Sequence, residues 1–253
     1  MRTILFLFLL VAVVSGAEPL RIGMDMSYPP FEMRNPQGEP AGVSVDLARM
    51  IGEKLGRPVE FQNLPFEGLI PSLKTGRVDL VLSSMTATAE RATTVDFSDP
   101  YLKTGLCLLV GKDSGINSAA DLNQAGKRVA VVKATTGHLW AMKELTQAKV
   151  FVLGTEAACA LEVTQGKADA FIYDQLSTLR NWQRQPDTTR ALLKPFKEES
   201  WAIALRKGND ELRAQVNQAL ADLRKGDAFR QLTEKWLKEQ KAAFDKLGVP
   251  FVF

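Results

Sequence analysis

The segment Gly76, Arg77, Val78, Asp79, Leu80, Val81, Leu82 returns 90 positions later as Gly166, Lys167, Ala168, Asp169, Ala170, Phe171, Ile172. In both copies a glycine closes an apolar-periodic stretch, a basic residue and an aspartate follow, and a short apolar run without polar alternation comes next. Glycine reaches the left-handed conformation that ends a helix, and an unbroken short apolar run marks a buried strand. Each copy therefore reads as helix, cap and buried strand. By the fifth position past each aspartate the run gives way to polar residues, Ser83 and Ser84 in the first copy and Asp174 in the second. Open α/β sheets bind ligands outside the carboxyl ends of their strands, so two such lobes facing each other would build one cleft. A glycine, basic, x, aspartate connection is common, and two matches alone arise by chance fairly often.

The amino-terminal stretch limits where the chain works. Arg2 precedes an almost unbroken apolar run from Ile4 to Val14, and Ser15, Gly16 and Ala17 follow. This is the shape of a secretory signal peptide, with cleavage expected after Ala17. A core of 11 apolar residues is too short to anchor in a bilayer, and no later segment approaches the roughly 18 that a spanning helix needs. The expectation is a soluble periplasmic protein. Removing 17 of 253 residues leaves 236, room for two modest domains with a core each. The 32 basic and 29 acidic residues are spread without long runs, so the net charge of +3 gives no footprint for nucleic acid. Cys107 lies in an apolar strand-like run and Cys159 in an alanine-rich helix, which favours two buried free thiols over a disulfide.

Apolar spacing predicts strands at Leu20 to Met24 and Val59 to Gln62, helices at Val43 to Leu55 and Phe66 to Leu73, then the first echo and a strand at Leu106 to Gly111. The pattern then restarts, with a short helix at Ala120 to Leu122, strands at Arg128 to Lys133 and Lys149 to Leu153, and helices at His138 to Glu144 and Glu156 to Gln165 leading into the second echo. A helix at Leu176 to Arg184, a strand at Trp201 to Leu205, and two amphipathic helices at Asp210 to Leu223 and Ala228 to Lys238 complete the chain. Alternating strands and helices argue for parallel sheets covered on both faces. With no floppy linker between the halves, the chain is expected to cross between lobes through strands, near Tyr101 to Leu106 and Glu199 to Ala204.

Catalytic signatures are thin. The chain has no phosphate-cradling loop, no dinucleotide fingerprint, no nucleophile elbow and no zinc-protease motif, and its single histidine, His138, cannot supply a metal cluster. No cofactor or metal is expected. The informative stretch runs Ser83, Ser84, Met85, Thr86, Ala87, Thr88, Ala89, Glu90, Arg91 and then Asp96 to Tyr101. Hydroxyls and free N–H groups past a strand end suit a carboxylate, and an arginine offers a charged bidentate fork. An isolated arginine is by default a solvated helix residue; the run around Arg91 argues against that default.

With these residues in view, the chain resembles a family 3 periplasmic solute-binding protein, the polar amino-acid-binding component of an ABC importer. The likeness covers the mature chain. It rests on Tyr28, Pro29, Pro30, Phe31, Glu32, on Gly42 to Leu47, on Phe66 to Leu73, on Ser83 to Tyr101, on Thr135, Thr136, Gly137, and on the echo ending at Asp174. The resemblance implies an α/β, two-lobed periplasmic-binding-protein fold of type II, each lobe a doubly wound, mainly parallel sheet with the ligand cleft between them. Residues 18–104 with 201–253 would form the first lobe and 105–200 the second. It implies that Arg91 clamps the ligand α-carboxylate with Thr86 and Thr136, and that Asp174 and the region of Ser83 and Ser84 take the α-ammonium. Tyr28 and Phe66 match the family's aromatic walls, although a core role is a serious alternative for both, while Phe31 reads as core. Asp25, Lys133 and Tyr173 match positions that contact the ligand side chain, and Asp25 with Lys133 would suit a neutral amide such as glutamine. Thr135 belongs to the same threonine loop, in which Ala134 stands where glycine or serine is common.

What the resemblance implies is a monomer that captures a polar L-amino acid by hinge closure and hands it to a membrane permease. The competing reading is an enzyme, because this fold includes cyclohexadienyl dehydratases acting on prephenate-like substrates. Loss of the ammonium-binding aspartate would be expected there, and Asp174 is present. A receptor sensor module is a third reading, disfavoured by the lack of a spanning segment.

Overall fold

A computed structural model describes residues 17–251. The expected signal peptide falls on residues 1–16 but for its last position, outside the described residues, as do Val252 and Phe253. In chain order the strands are β1 Leu20–Met24, β2 Met33–Arg34, β3 Pro40–Ala41, β4 Val59–Asn63, β5 Leu80–Val81, β6 Val95–Phe97, β7 Leu102–Gly111, β8 Arg128–Val132, β9 Lys149–Leu153, β10 Ala170–Asp174, β11 Thr189–Trp201 and β12 Ala204–Arg206. The helices are α1 Val43–Leu55, α2 Phe66–Lys74, α3 Ala89–Ala92, α4 Thr136–Glu144, α5 Glu156–Thr164, α6 Gln175–Arg184, α7 Asp210–Lys225, α8 Ala228–Leu232 and α9 Lys238–Leu247.

Ten of these strands form two five-stranded sheets, ordered β4-β1-β5-β12-β6 and β11-β7-β10-β8-β9, and β2 pairs with β3 in a small antiparallel ribbon. The first uses residues 20–97 and 204–206, the second residues 102–201. Strands β4, β1 and β5 are parallel, as are β9, β8 and β10. The strands that carry the chain between sheets run the other way: β12 is antiparallel to β5, and β7 lies antiparallel to both β10 and β11. Each sheet is therefore mixed. Both are covered by helices, giving each lobe a core of its own, one around Leu20, Ile22, Phe31 and Leu47, the other around Leu108, Val110, Val131 and Ile172. Burying one such side chain contributes roughly 1.5 to 3 kcal/mol, and Leu176 and Leu179 of α6 join the first of these cores, so the second lobe is packed against the first.

The repeated segment does the same work twice. Gly76 and Gly166 take φ of 71° and 66°, and their N–H groups close the preceding helices on Leu73 and Val163. The strands that follow, β5 and β10, lie inside their sheets. Their carboxyl ends deliver Ser83, Ser84 and Asp174 to the space between the lobes.

The expected strand at Trp201 to Leu205 is divided. Strand β11 ends at Trp201 and β12 begins at Ala204 because the chain changes sheets here. Of the two residues between, Ala202 donates its N–H to the Met85 carbonyl at 3.0 Å, while Ile203 is held by the opposite crossing: its N–H donates to Ser98 Oγ at 3.0 Å, and Ser98 N–H donates to the Ile203 carbonyl at 2.9 Å. Tyr101 N–H donates to the Trp201 carbonyl at 2.9 Å, so the two crossings lie side by side. The last expected helix, Ala228 to Lys238, is divided into α8 and a π-helical turn at Thr233–Leu237, and a further helix that was not expected, α9, follows it to Leu247. Cys107 and Cys159 are free and buried. Among the described residues no helix is long and apolar enough to cross a membrane.

Candidate functional site

A narrow cleft, part of it open to solvent, lies between the lobes. The first lobe contributes Asp25, Tyr28, Phe66, Ser83, Ser84, Thr86 and Arg91, and the second contributes Thr135, Thr136, Tyr173 and Asp174. Eleven of the twelve residues expected from the sequence therefore meet in one place. Lys133 is not among the lining residues. Its ammonium lies 3.3 Å from Glu67 Oε1 at the mouth between the lobes, and its side chain is 57% exposed.

Asp25 follows β1 and organises the main chain around it. Its carboxylate accepts the N–H groups of Ser27 and Phe66, both at 3.1 Å, and so satisfies an open donor at the start of α2. The Asp25 N–H in turn donates to Ser83 Oγ at 2.9 Å. Ser84 sits in the left-handed region with φ of 47°, a conformation that costs a non-glycine residue energy and is found at functional positions. Its hydroxyl donates to the Glu32 carboxyl at 2.9 and 3.1 Å. Glu32 is fully buried, and burial pushes its pKa up to about 8 against the pull of the Ser44 and Ser84 hydroxyls. At neutral pH this carboxyl is mostly protonated.

Arg91 lies on the one-turn helix α3, whose first turn is capped by Thr88 Oγ1 accepting the Arg91 N–H at 3.1 Å. Its guanidinium donates to the Thr86 carbonyl at 2.7 Å and, across the cleft, to the Ala134 carbonyl at 2.9 Å. It stands over the Phe66 ring, 5.5 Å from the centroid. Burial pulls its pKa below the usual guanidinium value while the nearby Glu199 pulls it back. Because arginine keeps its charge in proteins, the group is a fixed cation with more donors than these two carbonyls use.

The second lobe meets it with the threonine loop after β8. Ala134 has φ of 62°, and its N–H donates to His138 Nδ1 at 3.2 Å, which places the single histidine in support of the loop. Thr135 caps α4 by accepting the His138 N–H at 3.3 Å and donates to the Val132 carbonyl at 2.7 Å. Thr136 opens α4. Its hydroxyl and that of Thr86 both donate to Glu199 Oε2, each at 2.9 Å. Asp174 ends β10 and caps α6, accepting the Ser177 N–H at 3.0 Å. Burial pushes its pKa up to about 6, so it is mostly ionised at neutral pH.

Aromatic rings close the walls. Tyr28 meets Tyr173 of the other lobe edge to face at 5.8 Å and stacks on Phe31 at 5.5 Å, with Trp201 6.0 Å away. Tyr28 is buried in the core and also lines the cleft.

Sequence reasoning did not assign site roles to Glu32, Glu156, Arg180, Glu199 or Trp201. Glu156 is ion-paired with Arg180 and receives the Ser177 hydroxyl, and Arg180 lies over the Tyr28 ring at 5.6 Å. Glu32 lay within a motif already singled out. Glu199, in Lys197, Glu198, Glu199, Ser200, has the local composition of a solvated surface, and nothing local marks it as buried.

The chain matches bacterial extracellular solute-binding proteins, family 3, over residues 20–239. The L-arginine-binding protein of Pseudomonas aeruginosa is 32% identical over 242 residues, covering 91% of this chain and 90% of that one. Among solved structures, the ancestral amino acid-binding protein AncCDT-1, a precursor of cyclohexadienyl dehydratase, superposes with a TM-score of 0.79 at 37% identity, covering 86% of this chain and 95% of the other. An ancestral arginine-binding protein bound to arginine superposes with a TM-score of 0.79 at 35% identity, covering 86% of this chain and 97% of its own. All three are described as binding proteins rather than enzymes, as is the family. With the match spanning nearly all of the described residues and the two-lobed fold in place, this chain belongs to the family 3 bacterial extracellular solute-binding proteins.

Proposed function

We propose that this protein is exported to the periplasm, captures a free L-amino acid as a monomer by closing its lobes, and presents it to the permease of an ABC transporter. The observation that carries the reading is a cleft lined by both lobes in which Arg91 comes from one and Asp174 from the other. Opposite charges on opposite lobes bind the two ends of a zwitterion, and only the closed arrangement satisfies both at once, so ligand selects closure.

Within that reading the ligand side chain is basic. Arg91 is the one cationic side chain among the described residues lining the cavity, against the carboxyls of Asp25, Glu32, Glu156, Asp174 and Glu199. Glu156 is neutralised by Arg180 and Glu32 by its proton, which leaves Asp25, Asp174 and Glu199 facing one guanidinium. The amide preference rested on Lys133 standing in the cleft, and its ammonium is taken by Glu67 instead. The arginine-binding relatives agree with a basic ligand.

A thermal-shift screen of the purified protein against the twenty amino acids, with prephenate added, tests both levels. Ligand at a thousand times its dissociation constant adds about 4 kcal/mol to stability. Arginine or lysine should raise the melting temperature most. No shift with any amino acid, or turnover of prephenate, would sink the reading.

A further inference from the structure

Glu199 lies on β11, one of the two crossing strands, with a side chain only 4% exposed. One of its oxygens, Oε2, receives the hydroxyl of Thr86 from the first lobe and that of Thr136 from the second, both at 2.9 Å. These are the two hydroxyls that the family resemblance gives, with Arg91, to the ligand α-carboxylate. The other oxygen, Oε1, is buried without a hydrogen-bond partner, and its nearest cation, Lys197 Nζ, is 3.6 Å away.

A threonine hydroxyl carries one hydrogen and can donate to one acceptor at a time. Both hydrogens are already committed to Glu199. A second carboxylate brought alongside would meet like charge in a poorly hydrated space, which disfavours two ionised groups sharing one site. A ligand carboxylate therefore gains the two hydroxyls only by taking them from Glu199.

We propose that Glu199 is a built-in occupant of the ligand-carboxylate seat, a specificity-determining residue that an incoming α-carboxylate has to displace. The proposal rests on the reading of the cleft as an amino-acid site. Because its two donors come from different lobes, the seated side chain also ties the lobes together, and part of the affinity for every amino acid is spent on breaking that tie. A ligand without an α-carboxylate leaves the seat alone and escapes the penalty. Glu199 thus narrows the gap between amino acids and the corresponding amines.

The test compares wild type, Glu199→Gln and Glu199→Ala by titration calorimetry with L-arginine and with agmatine, which is arginine lacking the α-carboxylate. Removing the occupant raises the binding-competent fraction, so Glu199→Ala should tighten arginine by about tenfold while agmatine stays unchanged or weakens. Glu199→Gln, which keeps the shape and loses the charge, should fall between. Weaker or unchanged arginine binding, or an equal change for both ligands, would overturn the proposal. Small-angle scattering on the amino-acid-free proteins provides a readout independent of ligand: Glu199→Ala should show a larger radius of gyration than wild type. Should none of the proteins bind any amino acid, the functional reading fails, and equal radii would then overturn the inter-lobe tie as well, whereas a larger radius would uphold it.

Discussion

Asp79 takes three hydrogen bonds from Arg21, one from the main-chain N–H at 2.9 Å and two from the guanidinium at 3.1 and 2.7 Å. Asp169 takes the same three from Arg128, at 2.8, 3.3 and 2.7 Å, and each aspartate returns its own N–H to its arginine's carbonyl at 2.8 Å. The repeated aspartate thus anchors β5 against β1 in one lobe and β10 against β8 in the other. It fixes where the next residues leave the sheet, and those are Ser83 and Ser84 in one case, Asp174 in the other. The expected outcome of Asp79→Ala or Asp169→Ala is a fall of about 4 °C in melting temperature, similar for the two, because each leaves the same main-chain donor unpaired. A loss at one position and none at the other would mean that the two copies are not equivalent.

Glu32 makes stability depend on pH with a definite sign. Burial raises its folded pKa to about 8, from an ordinary value of about 4.5. A raised carboxyl favours the folded state most below the unfolded value, and that contribution is lost as pH rises through the folded value. The loss should run between about pH 4.5 and 8 and amount to something on the order of 5 kcal/mol. Melting curves of Glu32→Gln across that range should be flatter than those of wild type. Parallel curves would show that Glu32 does not titrate in this window.

How much of this was legible depended on where each residue's environment comes from. Strands β1 and β9 and helix α1 match their expected bounds because an uninterrupted apolar pattern carries them. Strand β11 was invisible over Thr189 to Glu199: Lys194 to Ser200 are largely polar, and the register against β7 shifts between Leu192 and Lys197. Its order comes from pairing with β7, which local propensity does not encode. The same division runs through the site. Arg91 and Asp174 stood out because a repeat and a family likeness set Asp174 at one strand end and Arg91 in the polar run that follows the other. The burial of Glu32 and Glu199 is set by partners far away in the chain, so their sequence neighbours carry no signal of it.

Lys133 separates two accounts of the ligand side chain. Paired with Glu67 at the surface, it forms the kind of exposed ion pair that contributes about 0 to 1 kcal/mol. Lys133→Met should change the dissociation constant for the bound amino acid less than about fivefold. A hundredfold loss would return this ammonium to the cleft.

Gly137 sets how closely α4 approaches β10. A Cβ at this position would lie 2.9 Å from the Ile172 carbonyl oxygen and 3.1 Å from Ile172 Cγ2, with backbone on one side that cannot yield cheaply. Gly137→Ala should cost about 1 to 3 kcal/mol of stability by overpacking and weaken amino-acid binding by moving Thr136, its chain neighbour. Differential scanning calorimetry paired with a binding titration checks both. A variant with wild-type stability and affinity would contradict the close contact.

Arg91 is where the account is most exposed. It is held by one carbonyl from each lobe, and it is the fixed cation that the proposed function gives to the ligand carboxylate. The decisive comparison is isothermal titration of L-arginine into wild type and Arg91→Ala, after confirming by circular dichroism that the variant is folded. The account predicts one saturable site in wild type and none in the variant, since a buried carboxylate left without its partner costs roughly 3 to 5 kcal/mol. No binding of any L-amino acid to wild type, or undiminished binding to Arg91→Ala, would contradict it.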